Sequence, residues 1–514
     1  MKRSVLGALI ILFLGCGAIA AWYYLRPIVA ERQRLRSSDA RATTAIAIGG
    51  DGYLGYWFLT SPEMHKQAAR AGLVVTLADD GGAYAERLDK FSRGDYDAIV
   101  LPVSSYLLHG LPHDYPGVIV AAVSESRGAD AILGTASRFP RRSVEELDDA
   151  SLRIVYTADS PSQFLLDLTC VDFDLSHLVE SSGWRVEVAG SREVLQRAQR
   201  RDGDAFVLWE PELSRALDEV PGLVSIWGSD KFAGYIVDVI VFRREFLVSH
   251  EAEVVRFLEA YFRALAVYAS QPEQMLAEMR GSTGLKREVI EAMLPKIDWF
   301  DLHENCVRQF GLSPGAGALA TDGVVNCILQ CSNVLVRTKR LEKAPIADPY
   351  SIVNSSILKT LQDNTPAAIG RDGGLALDFA PLPDEAWARL RAVGTMRIEP
   401  ISFQSGRNLL DEEGETRVDG IAKLLVNNYP SYRIAVRGHT GPGSDEQANL
   451  QLSEERAQAV AQRLIAVHAV DPDRMHAEGH GSSLPPPRKP GESERSFLYR
   501  LPRVEFVLLE DSRL

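Results

Sequence analysis

Cysteine and histidine are scarce in this chain: five Cys and ten His in 514 residues. Cys16, Cys170, Cys306, Cys327 and Cys331 are too few to build a disulfide scaffold. The histidines are scattered, and the sequence contains no HExxH, no GxSxG and no P-loop. The metalloprotease, serine-hydrolase and nucleotide-hydrolase classes therefore lack their signature residues, and the chain is read as a non-enzyme without a cofactor. Excess basic charge is absent as well. A net charge of −13 does not supply the basic surface that nucleic acid requires.

Cys327 and Cys331 have three residues between them, a spacing that puts both on one face of a helix. Together with His303 and Cys306 upstream they match no common zinc spacing, so no metal site is assigned. Two readings stay open: buried free thiols, or a disulfide among Cys306, Cys327 and Cys331 in an oxidising compartment.

What the chain does have is ample apolar content, 46% hydrophobic against 24% charged residues, which is a globular composition. Its length predicts two or three domains. Residues 1–43 stand apart. Lys2 and Arg3 precede an uncharged run, Val5 to Leu25, long enough to cross ~30 Å of hydrocarbon as a helix, and Trp22, Tyr23 and Tyr24 close it with an aromatic belt. An uncleaved N-terminal transmembrane helix in the inner membrane is expected. The alternatives are a signal cleaved near Ala18-Ile19-Ala20 and a lipoprotein at Cys16. Arg26, Arg32, Arg34, Arg36 and Arg41 follow the run, and by charge counting alone they would keep the bulk of the protein inside. The domain content described next points outward.

From Thr44 onward short apolar runs alternate with helical stretches, an α/β pattern. Ala45–Ile48, Leu73–Leu77 and Asp97–Leu101 read as strands. They end at Asp51-Gly52-Tyr53, at Gly81-Gly82 and at Ser104-Ser105. Tyr84–Phe91 reads as a helix. Arg153–Thr157 is a further strand, followed by Ser160, Pro161 and Gln163 in the pattern of a capped helix start; such a start is either an ordinary cap or a place for a polar ligand. Asp204–Leu208 leads into Trp209-Glu210-Pro211. In open α/β sheets ligands bind beyond the carboxyl ends of the strands, so these ends are the places to look.

Gly94-Asp95-Tyr96-Asp97-Ala98-Ile99-Val100-Leu101-Pro102, the segment Val144 to Thr157, and Gly203-Asp204-Ala205 with Leu208-Trp209-Glu210-Pro211 resemble, in this order, motifs of type II periplasmic substrate-binding proteins of the nitrate/sulfonate/taurine group. The resemblance implies two α/β lobes over residues 44–345 and a ligand in the cleft between them. On this chain the implied cleft residues are Asp51, Tyr53, Gly81, Gly82, Ser104, Ser105, Ser160, Ser162, Trp209, Glu210 and Asp238. Trp209 is either a lid on the ligand or a core residue. Glu210 and Asp238 either hold an amine or pair with Arg or Lys. No basic pair at the strand ends demands an anion.

Residues 346–384 are read as a linker from the glycines and prolines between Asn364 and Asp384. Beyond it Met396–Phe403 is strand-like, Val418, Ile421, Leu424 and Leu425 recur at helical spacing, and Tyr432–Val436 is a strand. The stripe Ala457, Val460, Ala461, Leu464, Ile465 predicts a helix with Ser453 as its N-cap. That placement puts Arg456 in the first turn, against the helix dipole.

Phe403-Gln404-Ser405-Gly406, Gly438-His439-Thr440, Asn449, Leu452-Ser453-Glu454-Glu455-Arg456-Ala457, Gly479-His480-Gly481 and Arg503-Val504-Glu505-Phe506 resemble the OmpA-like peptidoglycan-binding domain over 385–514. The resemblance implies an α+β, β/α-sandwich fold and wall-binding positions at Phe403, Thr440, Asn449, Leu452, Arg456 and Arg503. It also exposes a departure. Gly441 stands where the family has the Asp that pairs with the wall peptide's ammonium, a loss of roughly 1.5–3 kcal/mol. Asp445 is the nearest substitute in sequence.

The expectation is a two-lobed α/β binding protein followed by an OmpA-like domain, anchored in the inner membrane with its bulk in the periplasm. It would capture a small ligand, associate with peptidoglycan weakly for want of the family Asp, and work with a separate ABC permease. The alternative is an envelope adaptor with a vestigial cleft whose C-terminal domain binds protein.

Overall fold

A computed structural model describes residues 44–511 apart from 174, 181, 313–321, 365–378, 405–406, 430–431, 444, 469 and 490. The Val5–Leu25 run, Ser405 and Gly406 lie outside the described residues. Among the described residues no helix is long and apolar enough to cross a membrane.

The first lobe is built on β1 (Thr44–Gly50), β2 (Leu73–Asp79), β3 (Ala98–Pro102) and β4 (Gly117–Ser126). The chain then crosses into the second lobe, built on β5 (Asp130–Thr135), β6 (Ile154–Thr157), β7 (Arg185–Val188), β8 (Ala205–Trp209) and β9 (Leu223–Gly228). It returns to the first lobe as β10 (Val237–Arg243) and β11 (Ile297–Trp299). The sheet orders are β11-β4-β10-β3-β1-β2 and β7-β6-β8-β5-β9. β1, β2 and β3 run parallel, as do β6, β7 and β8, while β4, β5 and β10 are antiparallel to their neighbours. Buried central strands of this type read as continuous apolar runs, and every residue of β3 and β4 is buried.

Two crossings, Arg127–Ala129 and 229–236, therefore join the lobes, and they are laced together. The Ser126 hydroxyl donates to Asp130 at 2.6 Å and lies 2.6 Å from the Ser229 hydroxyl. The amides of Gly128 and Asp130 donate to Ser229 Oγ at 2.8 and 3.2 Å.

Helix α1 (Tyr84–Arg93) follows β2, and α2 (Pro161–Asp172) follows β6. Ser160 sits at the N-cap of α2 and Pro161 at its first position, but the side-chain pattern differs from the expected box. The Ser160 hydroxyl turns back to the Thr157 carbonyl (2.7 Å), and the Gln163 amide oxygen accepts instead from the Asp159 amide (2.7 Å). Helices α3 (Glu251–Ser270) and α4 (Gly323–Arg337) complete the body. Cys327 and Cys331 do share one face of α4, with sulfurs 3.8 Å apart, and Cys170, Cys306, Cys327 and Cys331 are buried free thiols.

Part of the stretch read as a linker is folded. Helix α5 (Ser356–Asn364) buries Ile357, Leu358 and Leu361 in the main core, and the Asn354 amide donates to the carbonyl of Ile119 in β4 at 2.9 Å. Its Pro and Gly signals lie C-terminal to this helix, which is why the composition does not mark it.

The C-terminal unit has a sheet of β12 (Arg391–Met396), β13 (Arg433–His439), β14 (Met475–Gly479) and β15 (Arg503–Glu510), in the order β12-β15-β13-β14. Helices α6 (Glu412–Asn427) and α7 (Glu446–His468) pack beside it. Two sequence expectations fail here. The first strand is Arg391–Met396, ending where the predicted strand begins, and Phe403 makes only an isolated bridge to Leu410. Helix α7 starts at Glu446, so Ser453 is interior and Arg456 lies well past the first turn. The Asp445 carboxylate caps this helix by accepting from the Ala448 amide at 3.0 Å. Ser453 instead ties helix to sheet: its hydroxyl donates to the Leu450 carbonyl (2.7 Å) and accepts from the Gly481 amide (3.0 Å). Gly438 is required by this closeness, since a Cβ there would stand 1.9 Å from the Ser453 carbonyl oxygen.

The C-terminal unit docks on the binding body through α2 and the second crossing. The Tyr235 hydroxyl (3.1 Å) and the Tyr429 hydroxyl both donate to the Asp172 carboxylate. The Asn428 side chain donates to the Ala233 carbonyl at 2.7 Å, and the Ala233 amide donates to the Asn428 carbonyl at 2.6 Å. Lys231 pairs with Glu510 at 2.9 Å.

Candidate functional site

The cleft forms where the carboxyl ends of both sheets face each other. Asp51 and Tyr53 follow β1, and Asp79 ends β2. Asp238, at the start of β10, lies opposite Pro102 at the end of β3. Asp130, at the start of β5, lies opposite Trp209 at the end of β8. Register thus places one carboxylate from each crossing at the base of the cleft.

The cleft has a volume of about 740 Å³ and is lined by residues of both lobes, among them Asp51, Tyr53, Gly81, Gly82, Trp209 and Glu210. At its inner end a recess of about 20 Å³ is lined by Asp51, Tyr53, Tyr56, Tyr84, Pro102, Asp130, Pro161, Trp209, Ile236 and Asp238. Of the predicted residues, Asp51, Tyr53, Gly81, Gly82, Trp209, Glu210 and Asp238 therefore come together here. Ser104, Ser105 and Ser160 do not. They line a different recess with Asp159, Asp167 and Arg340. The Ser162 hydroxyl is buried without a hydrogen-bond partner among the described residues.

Charges in the cleft are unequally shared. Arg87, fully buried on α1, bridges Asp51 (2.9 Å) and Asp80 (2.5 Å). Burial alone would lower its pKa, but the bonds to Asp80 and the charge of Asp51 outweigh that and raise it. Glu210 is fully buried against Lys296 and accepts from the Ser214 hydroxyl at 2.7 Å. Of the two readings left open for Glu210, ion pairing is the one observed.

Asp238 differs. It accepts from the Tyr56 hydroxyl at 2.5 Å and the Ser124 hydroxyl at 3.3 Å, and forms no ion pair among the described residues. Burial raises its carboxyl to about 8, and Asp51 and Asp130 push the same way, against the Tyr56 and Ser124 bonds. Asp130 is likewise unpaired; burial raises it to about 7, opposed by the Ser126 bond and reinforced by Glu210. Tyr53, Tyr56 and Tyr84 are all raised, by burial first and then by the surrounding carboxylates.

The sequence reading missed Tyr56, Tyr84 and Asp130. Asp130 carried a signal: it is a lone carboxylate heading the apolar run Ala131-Ile132-Leu133. The tyrosines carried none beyond proximity to the Gly-rich ends, because only folding shows which way an aromatic faces.

In the C-terminal domain Asn449, Leu452 and Arg456 recur at i, i+3 and i+7 of α7, one face of the helix. The Arg456 guanidinium lies over the Phe403 ring at 5.0 Å and donates to the Arg407 carbonyl at 3.3 Å. Burial lowers its pKa, and no described carboxylate offsets this. The Thr440 amide donates to the Gly481 carbonyl at 2.8 Å, while the Thr440 hydroxyl and the Asn449 amide nitrogen are buried without partners among the described residues. Arg503, opposite His439 in the sheet, is committed to Glu505 at 2.6 Å and to the Leu501 and Leu484 carbonyls. Gly441 is open: a Cβ there would meet only Pro502 Cγ, at 3.9 Å. Asp445 is spent on its cap, and among the described residues no carboxylate pairs with Arg456.

Residues 402–497 match the OmpA family. Outer membrane porin F of Pseudomonas aeruginosa is 31% identical over 85 residues, 16% of this chain and 24% of that protein. Probable lipoprotein YiaD of Escherichia coli is 32% identical over 85 residues, 16% of this chain and 38% of that protein. The chain thus spans well under half the length of either relative. Among solved structures, the periplasmic aliphatic sulphonate binding protein SsuA of Escherichia coli is 16% identical, with 66% of this chain and 97% of that chain covered and a TM-score of 0.45. The periplasmic nitrate-binding protein NrtA of Synechocystis PCC 6803 is 10% identical, with 64% and 91% covered and a TM-score of 0.46. Residues 402–497 constitute an OmpA-family domain, joined to a two-lobed α/β body.

Proposed function

We propose that the chain is a cell-envelope solute-binding protein, anchored in the inner membrane through Val5–Leu25 with its bulk in the periplasm. Its lobes close on a small ligand, and its C-terminal domain associates with the cell wall. A separate ABC permease would receive the ligand. The observation that supports this reading best is the meeting of Asp130, Trp209 and Glu210 from one lobe with Asp51, Tyr53 and Asp238 from the other around one cleft. The test is a thermal-shift screen of the full chain against amino acids, phosphate, sulfonates and polyamines. A ligand that raises the midpoint supports capture, and no shift from any class counts against it.

The second reading, an adaptor whose C-terminal domain binds protein, is favoured by Gly441 and by the commitment of Asp445 to its helix cap. Sedimentation with purified sacculi separates the two. Binding that disappears in Arg456→Ala supports wall association through this site, and absence of binding supports the adaptor.

A further inference from the structure

The inner recess resembles no anion site. An anion is best held by charged donors, and those beside the recess are already used: Arg87 is shared by Asp51 and Asp80, and Lys296 is held by Glu210, while the Tyr56 hydroxyl is given to Asp238. What remains unpaired can accept: a carboxylate oxygen, and a tyrosine hydroxyl that both accepts and donates. Asp130 is 3% exposed, and its Oδ1 has no hydrogen-bond partner among the described residues; the Tyr53 hydroxyl is buried and equally unpartnered. Asp238, 2% exposed, has two hydroxyl donors and no cation among the described residues. A buried carboxylate oxygen left without a donor is destabilised, so these groups are arranged for something that donates.

Aromatic faces complete the set. Tyr53, Tyr56, Tyr84 and Trp209 line the same recess. Aromatic walls around unpaired carboxylates favour an organic cation, since the ring quadrupole and the carboxylates attract the same charge. Size narrows the choice. A cavity of about 20 Å³ holds one water-sized group, as roughly 10–15 Å³ suffices for a single water. A primary ammonium is of that size and carries three donors; a sulfonate or a trimethylammonium head is larger. Beyond the recess the cleft widens to about 740 Å³ and is walled in part by Trp57, Leu77, Leu285 and Met293. That space accommodates an apolar or extended body. Arg192 is in this outer region, beside Glu212, and not in the recess.

We propose, building on the capture function above, that the ligand is a primary organic amine bound ammonium-first, its nitrogen between Asp130, Asp238 and the Tyr53 hydroxyl. Buried carboxyls held near neutrality by desolvation are consistent with a site whose charge is completed by its ligand.

The test is calorimetric titration and thermal melting of the full chain at pH 8 with 1,4-diaminobutane, n-hexylamine, tetramethylammonium, ethanesulfonate and nitrate. The primary amines should bind and raise the midpoint. Asp238→Asn and Asp130→Asn should each weaken amine binding at least tenfold, and Tyr53→Phe, which removes only an unpartnered hydroxyl, severalfold. Circular dichroism establishes that each variant is folded. Binding of ethanesulfonate or nitrate without the amines overturns the proposal while leaving capture intact, as does preference for tetramethylammonium or an amine affinity unchanged in folded Asp238→Asn and Tyr53→Phe. No binding by either charge class overturns the capture reading along with it.

Discussion

The Tyr56 hydroxyl donates to the Asp238 carboxylate at 2.5 Å, joining residues 182 apart in the chain at the base of the inter-lobe cleft. This bond, with that from Ser124, is what the protein offers a buried carboxylate that has no cation. Its consequence is a measurable pH dependence.

Asp238 is raised from 3.8 to about 8 by burial. The native state therefore holds a proton that the unfolded state has released, and stability falls as pH rises between those values. Asp238→Asn removes the titration but keeps an acceptor for Tyr56. Relative to wild type, the variant should gain stability progressively from pH 4 to 8, by several kcal/mol at the upper limit, since one unit is about 1.4 kcal/mol. Denaturant unfolding at pH 4, 6 and 8 measures it. Asp130, raised to about 7, titrates within the same window, and Asp51, Glu210, Arg87, Lys296, Tyr53, Tyr56 and Tyr84 surround the pair, so Asp130→Asn should flatten the same part of the profile.

The space at Gly441 makes a gain-of-function prediction. A Cβ there meets only Pro502 Cγ at 3.9 Å, in ordinary contact. Gly441→Asp should fold normally and strengthen sacculus binding by about 10- to 150-fold, the equivalent of ~1.5–3 kcal/mol for a charged hydrogen bond. Co-sedimentation over a range of sacculus concentrations is the assay, and an unchanged affinity in the folded variant would show that the missing carboxylate is not what limits wall binding.

Arg456 lies over Phe403 with no carboxylate partner among the described residues. Arg456→Ala should abolish sacculus binding and, because the cation–π contact contributes only about 0.5–1 kcal/mol, lower stability little. Arg456→Lys should retain part of the stability and less of the binding, because a single ammonium lacks the planar fork that holds a carboxylate. Comparing melting temperature with co-sedimentation separates the two effects.

Domain docking is tested at Asp172. Burial raises this carboxyl while the bonds from Tyr429 and Tyr235 oppose the rise. Tyr429→Phe removes one donor and should cost roughly 1.5–3 kcal/mol. Calorimetry should show the transition of the C-terminal domain separating from that of the lobes, whereas Tyr499→Phe, at an exposed side chain, should not change the thermogram.

By itself the sequence determined the alternation of strands and helices and the identity of the C-terminal domain. Both are local: apolar runs such as Asp97–Leu101 and the Gly438-His439-Thr440 segment carry their meaning in neighbouring residues. It also delivered most of one wall of the cleft, because Asp51, Tyr53, Gly81 and Gly82 follow strand ends. Where reading failed, the reason was long-range. Ser453 looks like a helix cap, yet the cap is Asp445, because Ser453 is needed to bond the Gly481 amide across the sheet. The segment 356–364 looks like linker, yet α5 is folded against the first lobe because Ile357, Leu358 and Leu361 find a core there. Above all, tertiary structure alone decided which carboxylates are paired. Glu210 finds Lys296, Asp51 finds Arg87, and Asp130 and Asp238 find only hydroxyls, since the charge partners of a buried side chain are set by the elements that close around it and not by its neighbours in the chain.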